Sequence, residues 1–315
     1  MHKTLFLASL AFFSSTLAFG EVDNDLLSYI PPATKVVASL DVDQARSSPF
    51  GQFLLQRMNS NEPGFENFIQ QTGFDPRHDV QQLVIASSDD GMRQRRFVAI
   101  ARGRFDQERL RKAAEEHGAT AQDIQGTTVY LNKARHHQSG FAFPDAGIAI
   151  LGDLASIQEV IGARANPQPQ DPELQRLMAR VGPNNDAWFV SLVPGTALSN
   201  DMASPLSGPF QGAQALQAVV RSSGGVHLGD LVQFSVYAQA RSAKDATSLA
   251  DVVRFLVSLA QMNRDRDPKA GLISPALDAM TLTTRGENVH VALSIPEQTL
   301  EQLAELRPKV ARNQR

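Results

Sequence analysis

Lys35-Val36-Val37-Ala38-Ser39-Leu40-Asp41-Val42 is the stretch from which the fold can be read. It is rich in β-branched and apolar residues and follows Pro31-Pro32, which is the composition of a strand. A counterpart lies in the second half of the chain, Ala187-Trp188-Phe189-Val190-Ser191-Leu192-Val193, after the turn signal Gly182-Pro183-Asn184-Asn185. Both strands carry a Ser-Leu pair at the same depth. Two such strands so far apart predict a repeated architecture, and the elements after each one fit it.

Each strand is followed by a Ser/Pro/Gly-rich passage and a short helix, near Phe65–Gln71 and Gln214–Arg221. A hairpin and a helix come next. Leu83–Ala86 and Phe97–Ala101 flank a polar loop, while Val226–Leu228 and Leu231–Ala238 meet across Gly229-Asp230. Asp106 is a good N-cap, Phe105 and Leu110 are spaced for a hydrophobic staple, and Gly118 closes the helix. In the second half Ser242 with Asp245 resembles a capping box. The helix it opens carries the stripe Ala246, Leu249, Ala250, Val253, Leu256, Val257 and Ala260, widened by Val252, Phe255 and Leu259. That width predicts the most buried helix, with Val253 inward and Arg254 outward.

A second hairpin and helix end each half. Thr127–Leu131 is expected to pair with Gly147–Leu151, before a helix from Asp153. Met280–Thr284 is expected to meet Val289–Leu293 across Arg285–Asn288, before a helix opened by Pro296. The predicted fold class is therefore α+β: two similar units of mainly antiparallel sheet with helices packed on one face. They span 21–165 and 166–306, joined by a passage that Pro167, Pro169 and Pro172 stiffen, with a basic flexible tail over 307–315. Two halves sharing one continuous sheet is the arrangement that would break this division.

The amino terminus carries an address. Met1-His2-Lys3-Thr4 is short and basic, Leu5–Phe19 has no charge, and Ala18-Phe19-Gly20 places small residues before Glu21. This is the layout of a secretory signal peptide over residues 1–20, and it predicts a periplasmic or extracellular protein. The apolar run is shorter than the roughly 20 residues a spanning helix needs, which argues against a permanent anchor, and no long uncharged apolar run follows Glu21, so no transmembrane segment is expected in the mature chain. There is no cysteine. That removes lipid attachment at Cys, thiol catalysis and Cys-containing zinc sites. With 30 basic and 33 acidic residues, the chain has no field that would suit nucleic acid.

Candidate chemistry is sparse. Asp41 and Asp43, two residues apart on an extended chain, would present paired carboxylates for a hard cation or acid–base work; strand-exit residues are the simpler reading. His136-His137 are adjacent on a loop and do not face one metal, so no metal site is expected. His227 and Asp230 flank a turn and could pair, but Ser222 and Ser223 are merely nearby in sequence and no G-x-S-x-G elbow exists. No glycine-rich phosphate loop is present, so no cofactor is expected. Arg93, Arg95 and Arg96 beside Asp89-Asp90 read as a solvated loop tip. Trp188 lies in an apolar strand and reads as core. Arg307, Lys309, Arg312 and Arg315 would suit weak envelope contact.

Leu26-Leu27-Ser28-Tyr29-Ile30-Pro31-Pro32-Ala33-Thr34 and the strand after it resemble a family of uncharacterised exported bacterial proteins with two α+β repeat units. So do Gly73–Val80, Ala101–Phe105, Gly118–Thr120, Asp186–Ser191 and Ala250–Leu256. The resemblance implies an exported two-unit protein and carries no catalytic or ligand residues. The expected function is thus an exported non-catalytic binding or interaction scaffold for an unknown protein or small apolar ligand. Two alternatives stand: a cell-envelope hydrolase using Asp and His in a cleft between units, or a carrier of apolar ligands lined by the helix from Ala243 to Met262. Converging Asp and His side chains would favour the enzyme, and a large dry pocket the carrier. N-terminal sequencing of protein from an export-competent host should read from Glu21; an intact Met1 or His2 start would overturn the address.

Overall fold

The structure is a computed structural model and describes residues 24–57, 65–88, 96–132, 138–195 and 212–306. In chain order the first half comprises α1 (Asn24–Leu27), β1 (Val36–Asp41), α2 (Val42–Ser47), α3 (Pro49–Arg57), α4 (Phe65–Thr72), α5 (Pro76–Asp79), β2 (Val80–Ser87), β3 (Val98–Gly103), α6 (Gln107–Glu116), β4 (Thr120–Ile124), β5 (Thr127–Leu131), β6 (Ser139–Asp145), β7 (Ile148–Asp153) and α7 (Leu154–Ala165). Next come α8 (Pro172–Val181), β8 (Ala187–Ser191), α9 (Gly212–Gln217), β9 (Val219–His227), β10 (Leu231–Ala240), α10 (Ala243–Met262), α11 (Pro268–Asp278), β11 (Thr281–Arg285), β12 (Asn288–Pro296) and α12 (Glu297–Glu305).

Aspartate sets many of the helix starts. The side chains of Asp41, Asp75, Asp106, Asp153, Asp171 and Asp267 each accept a backbone N–H in the first turn of α2, α5, α6, α7, α8 and α11. Three of these caps are followed directly by proline, Pro76, Pro172 and Pro268. Its missing N–H is unneeded there and its φ is already helical. Ser242 caps α10 by accepting from the Asp245 N–H at 3.1 Å. The Asp245 carboxylate turns instead to Arg241, so only half of the expected capping box forms. Gly118 takes φ +83 after α6, as a helix-closing glycine should.

The expected α+β class, with a large antiparallel sheet and helices, is the one observed. Among the described residues the twelve strands form one sheet, in the order β11-β12-β10-β9-β8-β1-β2-β3-β7-β6-β5-β4. All neighbours are antiparallel. The two halves are therefore not separate sheets. β1 pairs with β8 in register, Val37 facing Val190 and Ser39 facing Trp188. Joining these strands satisfies two rows of backbone groups that separate sheets would leave as open edges.

Pairing also departs from expectation in the first half. Thr127–Leu131 does not meet Gly147–Leu151, because β6 lies between them and pairs with both. β5 has β4 on its other side. Gly140 and Pro144 interrupt the strand pattern of β6, and β4 is a largely exposed edge with no apolar alternation to mark it.

Helices pack on both faces, because both faces of the central strands are apolar. Directly opposed residues share a face. Val37, Val84, Ile100, Ile150 and Val190 lie on one face and form the main core with Leu26, Ile157, Val160, Leu174 and Leu177 from α1, α7 and α8. On the other face, Ala240 and Val289 pack against Ala246, Leu249 and Ala250 of α10. There too Val232 packs with Ala45 of α2, and Phe50, Leu55 and Leu300 join it from α3 and α12. The prediction that α10 is the most buried helix fails. Its buried residues stop at Ala250, Val253 is only half-buried, and Met262 is 78% exposed. The apolar arc of α10 is wider and longer than the strands beneath it cover.

Ile157→Ala should cost about 2–5 kcal/mol, the range for emptying a fully buried aliphatic site. Met262→Ala should change stability by no more than about 0.5 kcal/mol. Urea unfolding of both variants beside wild type checks the assignment of the main core to α7.

Candidate functional site

Among the described residues, a cavity of about 860 Å³ lies on the second face of the sheet, under α4 and α6. Its floor is made of small residues. Ala99, Ala101 and Ala149 lie on neighbouring strands, with Ala101 facing Ala149 and Ala99 facing Leu151. Short side chains here leave the space between the sheet and the helices unfilled. The walls are phenylalanine. Phe68, Phe74, Phe105, Phe143 and Phe141 follow one another with ring centroids 5.5–6.2 Å apart, in edge-to-face or tilted contacts. Such contacts add to the burial of the rings themselves.

Polar groups at the wall are occupied locally. Thr72 Oγ1 donates to the Phe68 carbonyl at 2.6 Å and accepts from the Phe74 N–H at 3.2 Å. His117 Nδ1 lies 2.8 Å from the Ala113 carbonyl. Arg77 donates to both carboxylate oxygens of Asp75 at 2.7 Å. Burial pushes the Asp75 carboxyl up, but the Arg77 hydrogen bonds and charge outweigh it and hold the group below its ordinary value. The result is an apolar space without a charge free to engage an ion, which is the chemistry of a hydrocarbon site. None of the residues weighed for chemistry in the sequence points to this site, although the staple residues Phe105 and Leu110 line it. The available signal was composition, 17 phenylalanines against one tryptophan and three tyrosines.

The residues that were singled out do not gather. Asp41 ends β1 and caps α2, accepting the Gln44 N–H at 2.9 Å, while Asp43 is already helical and pairs with Arg46. The paired-carboxylate geometry of an extended chain is lost because the strand stops at Asp41. His227 does not pair with Asp230. Its Nδ1 lies 3.0 Å from Oδ2 of the buried Asp186, which also accepts the Leu228 N–H at 2.6 Å. Asp186 is thereby a clamp between β8 and β9. Ser223 accepts from Arg180 at 2.8 Å and is four residues along the strand from His227, about 13 Å away. Ser222 points to the opposite face. Trp188 is buried in the main core. Arg96 donates to Glu159 at 3.2 Å. His136, His137, Asp89, Asp90, Arg93, Arg95 and the tail cations Arg307, Lys309, Arg312 and Arg315 lie outside the described residues. Among the described residues no three His, Asp or Glu side chains cluster in a way that would hold a metal. The carrier alternative would line its pocket with Ala243–Met262, but the cavity of about 860 Å³ lies in the first half, and α10 packs on β10–β12.

Two other places carry interacting side chains. A second cavity of about 660 Å³ lies where the linker residues Pro167–Gln170 cross Leu27, Ile30 and Trp188. Beside it the Tyr29 hydroxyl donates to Asp145 at 2.7 Å and Arg164 stands 4.8 Å over the Tyr29 ring. Burial and then the Asp145 bond push Tyr29 up to about 12. On the first face, Tyr237 and His290 stack with centroids 4.1 Å apart, and Arg180 caps the Tyr237 ring at 4.4 Å. Ser235 Oγ is 3.0 Å from His290 Nε2. Both faces of Tyr237 are thus taken, which makes this stack a structural tie between α8 and the second-half strands.

The fold is similar to that of TP0453, a treponemal protein. Crystal form III of that protein aligns with a TM-score of 0.55 at 10% identity, over 88% of this chain and 96% of the other. Form I gives 0.53 at 10% identity over 89% and 97%, and form IV gives 0.53 at 11% over 88% and 95%. Identities this low establish shared architecture alone. No protein-family model matches the chain, and no curated protein matches it in sequence. Among the described residues no helix is long and apolar enough to cross a membrane.

Burial, and after it the Arg180 cation, hold His290 below its ordinary value of 6.5. The folded chain therefore binds this proton less readily than the unfolded one. The contribution of His290 to stability is present above pH 6.5 and is lost as pH falls below it. Arg180→Ala should raise the midpoint of the His290 ring resonance in an NMR titration; an unchanged midpoint would remove Arg180 as a cause.

Proposed function

We propose that this is an exported, non-catalytic binding protein that carries a small apolar ligand in the cavity between the sheet and helices α4 and α6. The observation that carries the reading is the cavity itself, about 860 Å³ of space with an alanine floor and phenylalanine walls. That volume is in the range of small-molecule sites. Its few polar side chains, where hydrogen bonds are made, are satisfied by their own surroundings. Support for export comes from the Lys3, Leu5–Phe19 and Ala18-Phe19-Gly20 pattern. Outward from the central pair, β1-β2-β3-β7-β6 corresponds in order to β8-β9-β10-β12-β11, which favours the internal repeat, with β5 and β4 added in the first half. The hydrolase alternative has little to stand on: β1 and β8 meet in a ladder where a catalytic cleft would be needed, and His227 is held by a structural aspartate.

Organic extraction of the purified protein followed by mass spectrometry tests this. The expected result is an apolar molecule near one equivalent in wild type, or uptake of one on incubation with mixed lipids. Ala101→Phe, which fills the cavity from its floor, should lower occupancy at least about tenfold through overpacking of the site. Wild type that neither contains nor takes up an apolar molecule would overturn the reading.

A further inference from the structure

The cavity of about 660 Å³ at the linker has a chemistry of its own. Its inner wall is Trp188, only 4% exposed, with Ile30 and Met178 beside it. Among the described residues the indole N–H makes no hydrogen bond. The edge that carries it borders the cavity next to Gly182. A Cβ added at Gly182 would have Trp188 Nε1 and Cε2 as its nearest atoms, at 3.7 and 3.8 Å. Gly182 has ordinary helical angles, φ −58 and ψ −54, so its backbone does not call for glycine. What the missing side chain provides is access to the N–H. A donor withdrawn from water and left unpaired is costly, and a molecule that brings an acceptor to it restores the lost bond.

The cavity walls have the opposite need. Helices α7 and α8 both end here, and Ala163 and Ala179 of their last turns line the cavity. Four residues after each alanine comes a proline that also lines it, Pro167 and Pro183. Proline has no N–H, so neither alanine carbonyl has the i+4 amide donor of a helix interior. The last carbonyls of a helix also carry its partial negative charge. Two such ends favour a hydrogen-bond donor and disfavour an anion.

Charge narrows the occupant further. Arg164 is the one ionisable side chain among the described lining residues, and it is engaged by the Tyr29 ring at 4.8 Å and by Asp145 at 3.7 Å. A ligand carboxylate would meet no uncommitted cation and would have Asp145 close by. An acceptor for the indole and a donor for the carbonyls, without net charge, is the pattern of an amide.

We infer that this cavity is a second binding site, which takes the backbone amide of a short uncharged peptide bearing an apolar side chain. The peptide carbonyl accepts from Trp188 Nε1, its N–H groups serve the carbonyls that end α7 and α8, and its side chain lies against Leu27, Ile30 and Met178. The site is separate from the cavity under α4 and α6 and does not depend on it.

Trp188 is the one tryptophan of the chain, so its emission reports on this site. The test titrates N-acetyl-leucine N′-methylamide into the purified protein, followed by Trp188 emission and by calorimetry. Wild type should give saturable binding by both. N-acetyl-leucine, which ends in a carboxylate, should bind at least about tenfold more weakly, because the helix ends disfavour its charge. Gly182→Leu, which puts a side chain over the N–H, should weaken the amide at least about tenfold by filling its place. Trp188→Phe, followed by heat alone, keeps a ring and removes the donor, and should weaken the amide severalfold. Either variant decides if the other fails a thermal-unfolding check. Wild type without saturable binding would overturn the inference. So would a carboxylate bound as tightly as the amide, or an amide affinity that a folded variant leaves unchanged. None of these outcomes alters the reading of the α4–α6 cavity, which extraction and Ala101→Phe test separately.

Discussion

The ladder between β1 and β8 is the constraint on which the rest of the structure depends. It fixes a single pleat for both halves. With Val37 facing Val190 and Ser39 facing Trp188, the main core is assigned to one face and the cavity to the other. A slip of one residue would exchange the faces of a whole half. Asp186 reinforces the register from the end of the ladder. Its backbone carbonyl accepts the Asp41 N–H at 2.7 Å, and its carboxylate accepts the Leu228 N–H at 2.6 Å. One buried residue thus holds β1, β8 and β9 at their common end, which accounts for an ionisable group in so apolar a place.

Local signals were read well from the sequence because they are local in origin. The caps at Asp106, Asp153 and Ser242 and the turn before Asn288 each depend on a few consecutive residues. Contacts between distant segments were not legible. His227 finds Asp186 only after β8 and β9 have paired, and no spacing rule links residues so far apart. Strand β6 was missed because Gly140 and Pro144 interrupt its pattern, and its absence from the reading misplaced the partner of β5. The end of β1 was missed for another reason. Val42-Asp43 continues the apolar–polar alternation, so nothing marks the point where Asp41 becomes a cap.

The cavity illustrates a further limit. Ala99, Ala101 and Ala149 are ordinary strand residues in sequence, and their effect arises only when strand pairing puts them side by side. The phenylalanines come from segments as separate as α4 and β6. Each is unremarkable alone, and together they wall a space. An open apolar pocket leaves in water side chains that a filled core would bury. The packed core on the opposite face, built from α1, α7 and α8, offsets that loss and leaves the first half free to keep an unfilled layer.

The central pairing also bears on how the chain reaches its native state. Val37 and Val190 lie about 150 residues apart, and the entropy of closing a loop must be met before such a contact returns anything, although its cost grows only slowly with length. A sheet whose middle is its most distant pairing has high contact order, which slows folding. Until β8 arrives, β1 and β2 form an incomplete sheet with apolar side chains on both faces and a bare inner edge. A bare edge of that kind is the part of a sheet most prone to pairing with another chain. With no disulfide to hold partial structure, the molecule's hazard lies in the interval before its two halves meet.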